Sequence, residues 1–405
     1  MNEERRNDEI LLEEDLPEEN KAQKKKSTGK KSKSRRRKKK KMPVGKMVVL
    51  DLLAIAVGLV VFALFHHVLD YWDIHLGKQA TAPVVLATLP PEPTADAAPA
   101  ETPQLIETTP EPEAEPTPTY VRSGMWGEKF ADKFTEGEVI RTEDSYRSEN
   151  VYITLERIEE PGLVYFVADV YISDLKYLGT AFATGEGNGE YNVGTEVRID
   201  EIANRVNAIV AINGDHYKLH NGIVIRNGML YSETPYEDVC VLYTDGSMET
   251  YTKDELDIEE VKAAGPWQVW SFGPGLLDAE GHAKTFTDGQ SNVLSVNVKN
   301  PRCAIGYYEP GHYCLVKVEG NRWGKFIGSY GMTFSELARM FEERGCVRAY
   351  ALDGGRSAAM SWQGEFLSTN YDRGSFDIVY IADTPVVTDA PKEAEMPAES
   401  EGGQG

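Results

Sequence analysis

The longest apolar run of the chain, residues 47–69, places the strongest constraint on its overall architecture. Met47–Phe65 is apolar apart from Asp51, and its extension to Leu69 gives the roughly 20 residues with which a helix crosses a bilayer. Asp51 lies within about one turn of the start of the run, where a carboxylate can reach the membrane interface. A buried helix of a soluble domain is the alternative, but the charges on either side of the run favour a transmembrane helix.

A strongly basic segment precedes this run. Residues 21–46 contain fifteen Lys and Arg and no Asp or Glu, so the rest of the chain is more acidic than the net charge of −22 indicates. Basic residues before the run and Asp70, Trp72 and Asp73 after it predict a cytoplasmic N-terminus, a single membrane pass and a main domain outside the cytoplasm. Basic runs also occur in nucleic-acid-binding proteins, but attraction to anionic lipid accounts for this one. We therefore expect localisation to the cell membrane and no nucleic-acid partner.

Composition separates one folded part from the segments that flank it. Residues 70–119 are rich in Pro, Thr and Glu and poor in large apolar residues, which predicts a disordered, extended stalk. Residues 385–405 return to this composition and are predicted to form a disordered acidic tail. Residues 1–46 are predicted to be a disordered cytoplasmic segment, first acidic and then basic. The remaining residues, 120–384, have the size of one domain with its own core.

Hairpin patterns dominate residues 120–384. One strand-forming run begins at Val151, and a longer one spans Leu163–Ile172. Asn227-Gly228 and Asp245-Gly246 are typical of two-residue hairpin turns, and each lies between apolar runs. Many hairpins with few helices predict an α+β fold class, with hairpin-rich mixed sheets and a few packed helices.

Two helices are predicted, near 199–206 and over 333–343, and each leads into an apolar strand with a polar tip that contains glycine. The first tip is Asn213-Gly214-Asp215-His216, and the second is Asp353-Gly354-Gly355. This weak internal repeat predicts that the two aspartates lie at comparable ends of neighbouring strands. Glycine there lets a ligand approach the backbone closely. A tight turn in which Asp353 bonds its own backbone is the alternative.

Four cysteines are present, and the predicted compartment permits disulfides between them. They are Cys240, Cys303, Cys314 and Cys346. If residues 309–312 close a regular hairpin, Cys314 faces Tyr307 and Cys303 faces Val318, so these two cysteines do not pair directly.

The sequence carries no pattern typical of a bound metal or nucleotide. There is no CxxC, and the seven histidines are scattered, so a zinc site is not expected. A phosphate-binding Walker loop, a dinucleotide-binding fingerprint and a Gly-x-Ser-x-Gly motif are also missing from the sequence. We therefore expect neither a metal nor a cofactor.

Four segments combine glycine with charged or hydrogen-bonding side chains. They are Asn213–Tyr217, Ser271–Gly275, Asn300–Gly306 and Leu352–Ser357. In this order and spacing, together with Arg373–Tyr380, they resemble the phosphodiester glycosidase family, whose enzymes remove a sugar from its phosphodiester. The resemblance covers roughly residues 199–382. It implies an α+β fold and glycosidase activity on a sugar-phosphodiester or phosphate-containing glycan, in keeping with bacterial members that are described as exopolysaccharide-related.

The chemistry of this family requires a carboxylate at the sugar, because the transition state resembles an oxocarbenium ion. We expect Asp353 to be the nucleophile or electrostatic stabiliser, since its glycine neighbours permit the closest approach. Asp215 is then the acid–base partner, with His216 as a proton relay near neutral pH. The three catalytic candidates are thus Asp353, Asp215 and His216.

Substrate-binding candidates come from the same segments. Arg302 and Arg356 are expected to hold phosphate, because a guanidinium donates two hydrogen bonds to phosphate oxygens. A structural ion pair is the alternative for either arginine. Asn213 is expected to bind sugar hydroxyls. The remaining candidates for substrate contact are Gly273, Gly354, Gly355 and Ser357.

Two functions of different classes follow from these residues. The first is a membrane-anchored phosphodiester glycosidase that acts on envelope or exported glycans outside the cytoplasm. The second is a non-catalytic binding module for phosphate-containing glycans. Two carboxylates beside an anionic ligand favour the enzyme, because a binding module has less need of them.

The sequence departs from the family pattern at three positions. Family members often carry glycine or an aromatic residue where this chain has Asp215 and His216, and glycine where it has Arg356. A homodimer is compatible with the sequence.

Overall fold

A computed structural model describes residues 55, 57, 83–89, 122–216, 222–234, 238–287, 296–320, 328–368 and 373–386. All of these except Ile55 and Val57 belong to one compact unit, residues 80–405. Apart from those two helical residues, the predicted membrane helix at 47–69 lies outside the described residues, as do the predicted cytoplasmic segment and nearly all of the C-terminal tail. In the described part of the chain, no helix is long and apolar enough to span a bilayer.

Within the described residues, the domain contains three antiparallel sheets. The strands of the seven-stranded sheet, in spatial order, are β15 (Arg348–Leu352), β13 (Arg302–Glu309), β14 (His312–Val318), β5 (Leu163–Ile172), β4 (Val151–Glu160), β3 (Ser145–Arg147) and β2 (Ile140–Arg141). Those of the six-stranded sheet are β1 (Val84–Val85), β9 (Met229–Glu233), β8 (Ile223–Arg226), β12 (Pro266–Trp270), β10 (Val239–Tyr243) and β11 (Met248–Tyr251). The five-stranded sheet contains β17 (Glu365–Phe366), β16 (Met360–Trp362), β7 (Val210–Asn213), β18 (Asp377–Ile381) and β6 (Leu178–Phe182).

The α-helices in the described part of residues 80–405 are few and short. They are α1 (Ile199–Arg205), α2 (Ile258–Ala263) and α3 (Phe334–Glu343). Two of them confirm the predicted helices, whereas α2 was not predicted. Thr333 and Glu336 form a capping box at the start of α3, and Gly345, with φ of +81°, follows its end. A sheet-dominated α+β fold is therefore confirmed.

The hairpin turns fall where glycine allows a left-handed backbone. Asn227 and Gly228 have φ of +53° and +79°, as a type I′ turn between β8 and β9 requires. Gly246, with φ of +82°, closes the turn between β10 and β11. The register predicted for the β13–β14 hairpin is wrong by one residue, because an irregularity between Tyr307 and Glu309 shifts it. Cys314 consequently faces Gly306 and Cys303 faces Lys317, so these two cysteines still do not pair directly.

The predicted stalk needs a correction at residues 83–89. Val84-Val85 forms the edge strand β1, which pairs with β9, and the Leu86 N–H donates to the Gly228 carbonyl at 2.8 Å. Two consecutive valines followed by leucine favour strand pairing, and they outweigh the surrounding proline-rich composition. This part of the segment is therefore attached to the six-stranded sheet.

The seven-stranded sheet is buried on both faces, so its central strands alternate between two cores. Cys303 and Ile305 of β13 point into a core that also contains strands of the five-stranded sheet, such as Ile212 of β7. Ala304 points to the opposite face, where α3 packs through Leu337. This alternation follows from the two-residue period of a strand. It brings the end of β15 close to the end of β7.

Candidate active site

The two predicted tips are joined across two sheets. The Asp353 N–H donates to the Gly214 carbonyl at 3.0 Å, so the backbone after β15 is bonded to the backbone after β7. The prediction of neighbouring strands is wrong, because β15 pairs with β13 whereas β7 pairs with β16 and β18. The tips nevertheless meet, because the five- and seven-stranded sheets share a core.

Asn213 holds this junction together. Its Nδ2 donates to the Asp353 carbonyl at 2.5 Å, and its Oδ1 accepts from the Ala359 N–H at 3.1 Å. The side chain is completely buried. Its amide therefore fixes the loop that carries Asp353, which is a positioning role, and it presents no surface to a sugar in this structure.

Asp353 is bound by an arginine that was not assigned from the sequence. Arg373 Nη2 donates to Asp353 Oδ2 at 2.5 Å, and Arg373 Nε donates to Ser357 Oγ at 2.7 Å. The Arg373 side chain is 23% exposed and that of Asp353 is 8% exposed. One cation that reaches solvent thus organises a nearly buried carboxylate and the predicted Ser357. Arg373 belongs to the closing motif of the family resemblance, which was the signal that could have identified it.

His216 lies beside this cluster. It is 5% exposed, its Nε2 is 3.6 Å from Glu196 Oε1, and its ring packs edge-on against Phe376 at 5.0 Å between centroids. Burial lowers the pKa of His216 below its ordinary value, and the charge of Asp353 offsets this effect only in part. The imidazole is therefore neutral near pH 7 and able to accept a proton.

Asp215 lies in a buried ion triad. Arg226 Nη2 donates to Asp215 Oδ2 at 2.9 Å, and Arg226 Nε donates to Asp377 Oδ2 at 2.8 Å. The Ser271 N–H donates to the same Asp215 oxygen at 3.0 Å. All three side chains of the triad are at most 4% exposed. Burial raises the pKa of Asp215 to about 6, with Arg226 acting in the opposite direction. Its acid–base role stays a prediction, since this carboxylate is engaged inside the protein.

The absence of a side chain at Gly214 makes room for a carboxylate of this triad. The Asp215 N–H donates to Asp377 Oδ1 at 2.9 Å, which draws the Asp377 carboxylate against the backbone of the tip. A Cβ at Gly214 would lie only 2.2 Å from the same oxygen. The glycine therefore permits close approach of an internal carboxylate, where the sequence suggested approach of a ligand.

The two predicted phosphate-binding arginines differ in their surroundings. Arg302 donates from Nε to the Met332 carbonyl at 3.0 Å and from Nη2 to the Val298 carbonyl at 2.9 Å. Its guanidinium carbon lies 3.9 Å from the centroid of the Phe334 ring. Arg302 therefore binds carbonyls near the start of α3, and phosphate binding by it stays a prediction. Arg356 is half-buried in the 3₁₀ turn Gly355–Ser357, next to Asp353 in sequence.

The predicted glycines shape the loops around the site. Gly355 has φ of +62° and donates its N–H to the Pro301 carbonyl at 2.9 Å. A Cβ at Gly354 would lie 2.8 Å from that carbonyl oxygen. Gly273 has φ of +73° and follows Ser271, which binds Asp215. These glycines position the loops, and substrate contact by them stays a prediction.

Two surface cavities lie elsewhere. One of about 530 Å³ includes Arg157, Phe166 and Glu319, and one of about 230 Å³ includes Tyr165 and Glu336. Both adjoin the turn between β4 and β5, and no candidate residue lines either of them. Within the described ranges, no group of three or more His, Cys, Asp or Glu side chains is placed to hold a metal ion.

Comparison with known proteins gives a match over much of this domain. Residues 206–386 match the sequence model of a family described as phosphodiester glycosidases. An uncharacterised protein of Bacillus subtilis (strain 168), derived from the SPbeta prophage, is 28% identical over 179 residues, which is 42% of this chain and 27% of that protein. The match thus spans about a quarter of that relative's length.

Among solved structures, two similar folds come from zebrafish and Synechocystis. The catalytic domain of zebrafish N-acetylglucosamine-1-phosphodiester alpha-N-acetylglucosaminidase, auto-inhibited by its pro-peptide, has a TM-score of 0.45 at 20% identity, covering 58% of this chain and 83% of that one. A hypothetical protein from Synechocystis has a TM-score of 0.35 at 15% identity, covering 58% of this chain and 63% of that one.

Proposed function

We propose that the chain is a hydrolase that cleaves a sugar from a sugar-1-phosphodiester, because residues 206–386 match the phosphodiester glycosidase family. The matched segment contains Asp215, His216, Asp353 and Arg373, so the candidate site lies inside the family domain. The family prediction made from the sequence is confirmed over this segment. The sugar-phosphodiester substrate is the proposal.

The observation that carries the proposal is the bond between Arg373 and Asp353. Hydrolysis at an anomeric carbon needs a carboxylate at the sugar and a cation at the departing phosphate. Arg373 and Asp353 supply these two charges 2.5 Å apart, at a position where the arginine reaches solvent. Phosphate is a good leaving group, so neutralisation of its charge matters more than strong acid assistance.

We assign each group one task in the reaction. Arg373 donates to the phosphate oxygens and thereby loosens its hold on Asp353, whose carboxylate then faces the anomeric carbon. The bond from that carbon to the phosphate oxygen breaks, and the electron pair leaves with the phosphate. A water oxygen bonds to the carbon, and its proton passes to the neutral His216. The same residues serve direct displacement by water and a route through a covalent bond between Asp353 and the sugar.

The Asp215 triad has a supporting role in this scheme. Through Arg226 and Asp377 it ties the tip after β7 to the start of β18, and Asn213 ties the same tip to Asp353. A fixed position of this tip keeps His216 beside the Asp353–Arg373 pair. Preorganised geometry of this kind lowers the cost of reaching the transition state.

We also propose that the enzyme is anchored in the cell membrane and acts outside the cytoplasm on envelope or exported glycans. The basic segment 21–46 and the apolar run 47–69 support this topology through their sequence. Protease added to intact cells, with any outer layer opened, is expected to release the folded domain and spare the N-terminal segment. Protection of the whole chain would contradict the topology and leave the hydrolase proposal unaffected.

The activity is tested with a panel of aryl esters of sugar-1-phosphates. The detergent-solubilised full chain is expected to release free sugar and aryl phosphate from at least one of them. Binding is measured in parallel by calorimetry. Binding without release would favour the non-catalytic module, and failure of both across the panel would contradict the proposed substrate class.

A further inference from the structure

Two of the four cysteines lie next to each other in the core beneath α3. The Sγ atoms of Cys314 and Cys346 are 3.8 Å apart, and both side chains are buried. Cys314 lies on β14, and Cys346 lies in the turn between α3 and β15. Residues far apart along the chain thus bring two thiols into contact.

The local packing holds this pair in place. Cys314 faces Gly306 of β13, and a Cβ at Gly306 would lie 2.7 Å from the Cys314 sulfur. The Cys346 N–H donates to the Phe341 carbonyl at 3.1 Å, which anchors the second thiol to the end of α3. The space that a side chain at position 306 would fill is therefore occupied by the Cys314 sulfur and the Phe341 ring.

The other two cysteines have different surroundings. Cys303 points its sulfur at the Ala359 carbonyl, 3.6 Å away, and Cys240 is buried on β10. Both belong to the core on the opposite face of the seven-stranded sheet from the Cys314–Cys346 pair. They provide matched controls, because both are buried cysteines and neither lies in the core that contains Cys314 and Cys346.

We propose that Cys314 and Cys346 form a structural disulfide in the mature protein. The contact between the two sulfurs carries this proposal, because sulfurs that lie 3.8 Å apart need only a small movement to form a bond. The bond would close a loop of about 33 residues and link β14 to the end of α3. Such a bond persists in an oxidising compartment and is reduced in the cytoplasm.

Formation of the bond is a two-electron oxidation. Each thiol loses its proton, the two sulfurs lose two electrons in total, and a disulfide-bearing oxidant accepts them and becomes two thiols. In the experiment this oxidant is oxidised glutathione. The hydrogen bond with Cys346, together with burial, raises the pKa of Cys314 well above its ordinary value, so attack by its thiolate is slow in the folded protein. We therefore expect the bond to form during folding.

The test uses the full chain, unfolded and reduced in detergent and then refolded with a mixture of reduced and oxidised glutathione. After alkylation of free thiols and digestion, mass spectrometry is expected to find one linked peptide pair that contains Cys314 and Cys346. Cys240 and Cys303 are expected to be alkylated. Quantitative alkylation of Cys314 and Cys346, or a link from either to a different cysteine, would overturn the proposal.

A thermal measurement separates a structural bond from an incidental one. Oxidation is expected to raise the melting temperature of the wild type by about 5–10 °C, the size expected for a loop of this length in a domain of this size. The shift is expected to disappear in Cys346→Ala and to remain in Cys303→Ala. An equal shift in both variants, or none in the wild type once the bond is detected, would contradict a stabilising role.

Discussion

Asp215 and Asp353 follow similar stretches of sequence and are both buried, yet their arginine partners differ in exposure. Asp353 is bound by Arg373, whose side chain is 23% exposed, whereas Asp215 shares the fully buried Arg226 with Asp377. A buried charge that loses its partner is costly, while a charge near solvent can exchange its partner for a ligand. The buried triad therefore favours a rigid tip after β7, whereas the partner of Asp353 is placed where a ligand can replace it.

The largest expected effect is on stability, in the buried triad. Arg226→Met leaves two carboxylates without their cation and is expected to lower the free energy of unfolding by about 3–5 kcal/mol. Arg373→Met removes a cation that water can partly replace, so a smaller loss of about 1–3 kcal/mol is expected. Urea unfolding followed by circular dichroism measures both. Equal losses would remove the distinction between the two arginines.

The second prediction contrasts the two carboxylates in catalysis. Asp353→Asn is expected to fold normally and to lose at least about a hundredfold in kcat, the scale for removal of a group that acts on the reacting atoms. Asp215→Asn is expected to alter stability more than kcat, because Asp215 is engaged with Arg226 and Ser271. A hundredfold loss of kcat in a normally stable Asp215→Asn protein would instead restore the acid–base role predicted from the sequence.

The third prediction concerns Arg373, the cation that we propose binds phosphate. Arg373→Lys keeps the charge but loses the guanidinium fork, so KM is expected to rise about tenfold to a hundredfold. Arg302→Lys is the matched control, because Arg302 binds the carbonyls of Met332 and Val298. That variant is expected to lose stability with an unchanged KM. The reverse result would identify Arg302 as the phosphate ligand, as its sequence motif suggested.

Local chemistry made the hairpins and helices predictable from sequence. Asn227-Gly228 specifies a left-handed turn by itself, and the Thr333–Glu336 spacing specifies a capping box by itself. The register of the β13–β14 hairpin was not predictable, because the irregularity near Tyr307 has no local signal of its own. The strand at Val84-Val85 was missed because composition was averaged over a longer segment.

The arginine partners could not be derived from spacing. Arg226 and Asp377 are 151 residues apart, and only the packing of two sheets brings them to Asp215. Arg373 and Asp353 are closer in sequence, but a charged residue in a glycine-containing loop is usually assigned to the surface. The family resemblance pointed to the segments that contain Asp215, Asp353 and Arg373, whereas the ion pairs that these side chains form are visible only in the structure.

The smallest expected effect, and the one that reports on burial within the tip after β7, is the pH dependence of stability. The folded-state pKa of Asp215 is raised from 3.8 to about 6, chiefly by burial, so between these values the folded protein keeps a proton that the unfolded chain has released. Stability therefore falls as pH rises through this window. The pKa of His216 is lowered from 6.5, chiefly by burial. Below pH 6.5 the unfolded chain therefore binds a proton at this residue that the folded protein does not bind. Stability consequently falls as pH falls.

The two variants are therefore expected to respond with opposite signs. Relative to the wild type, Asp215→Asn should gain stability as pH rises from about 4 to about 6, and His216→Asn should gain stability as pH falls below about 6.5. Urea midpoints at intervals between about pH 4 and pH 8 measure both trends. Because each trend is a difference between a variant and the wild type, titration of the many exposed carboxylates cancels. If both variants ran parallel to the wild type across this range, neither side chain would titrate differently in the folded and unfolded protein, and the burial of this tip would have no electrostatic consequence.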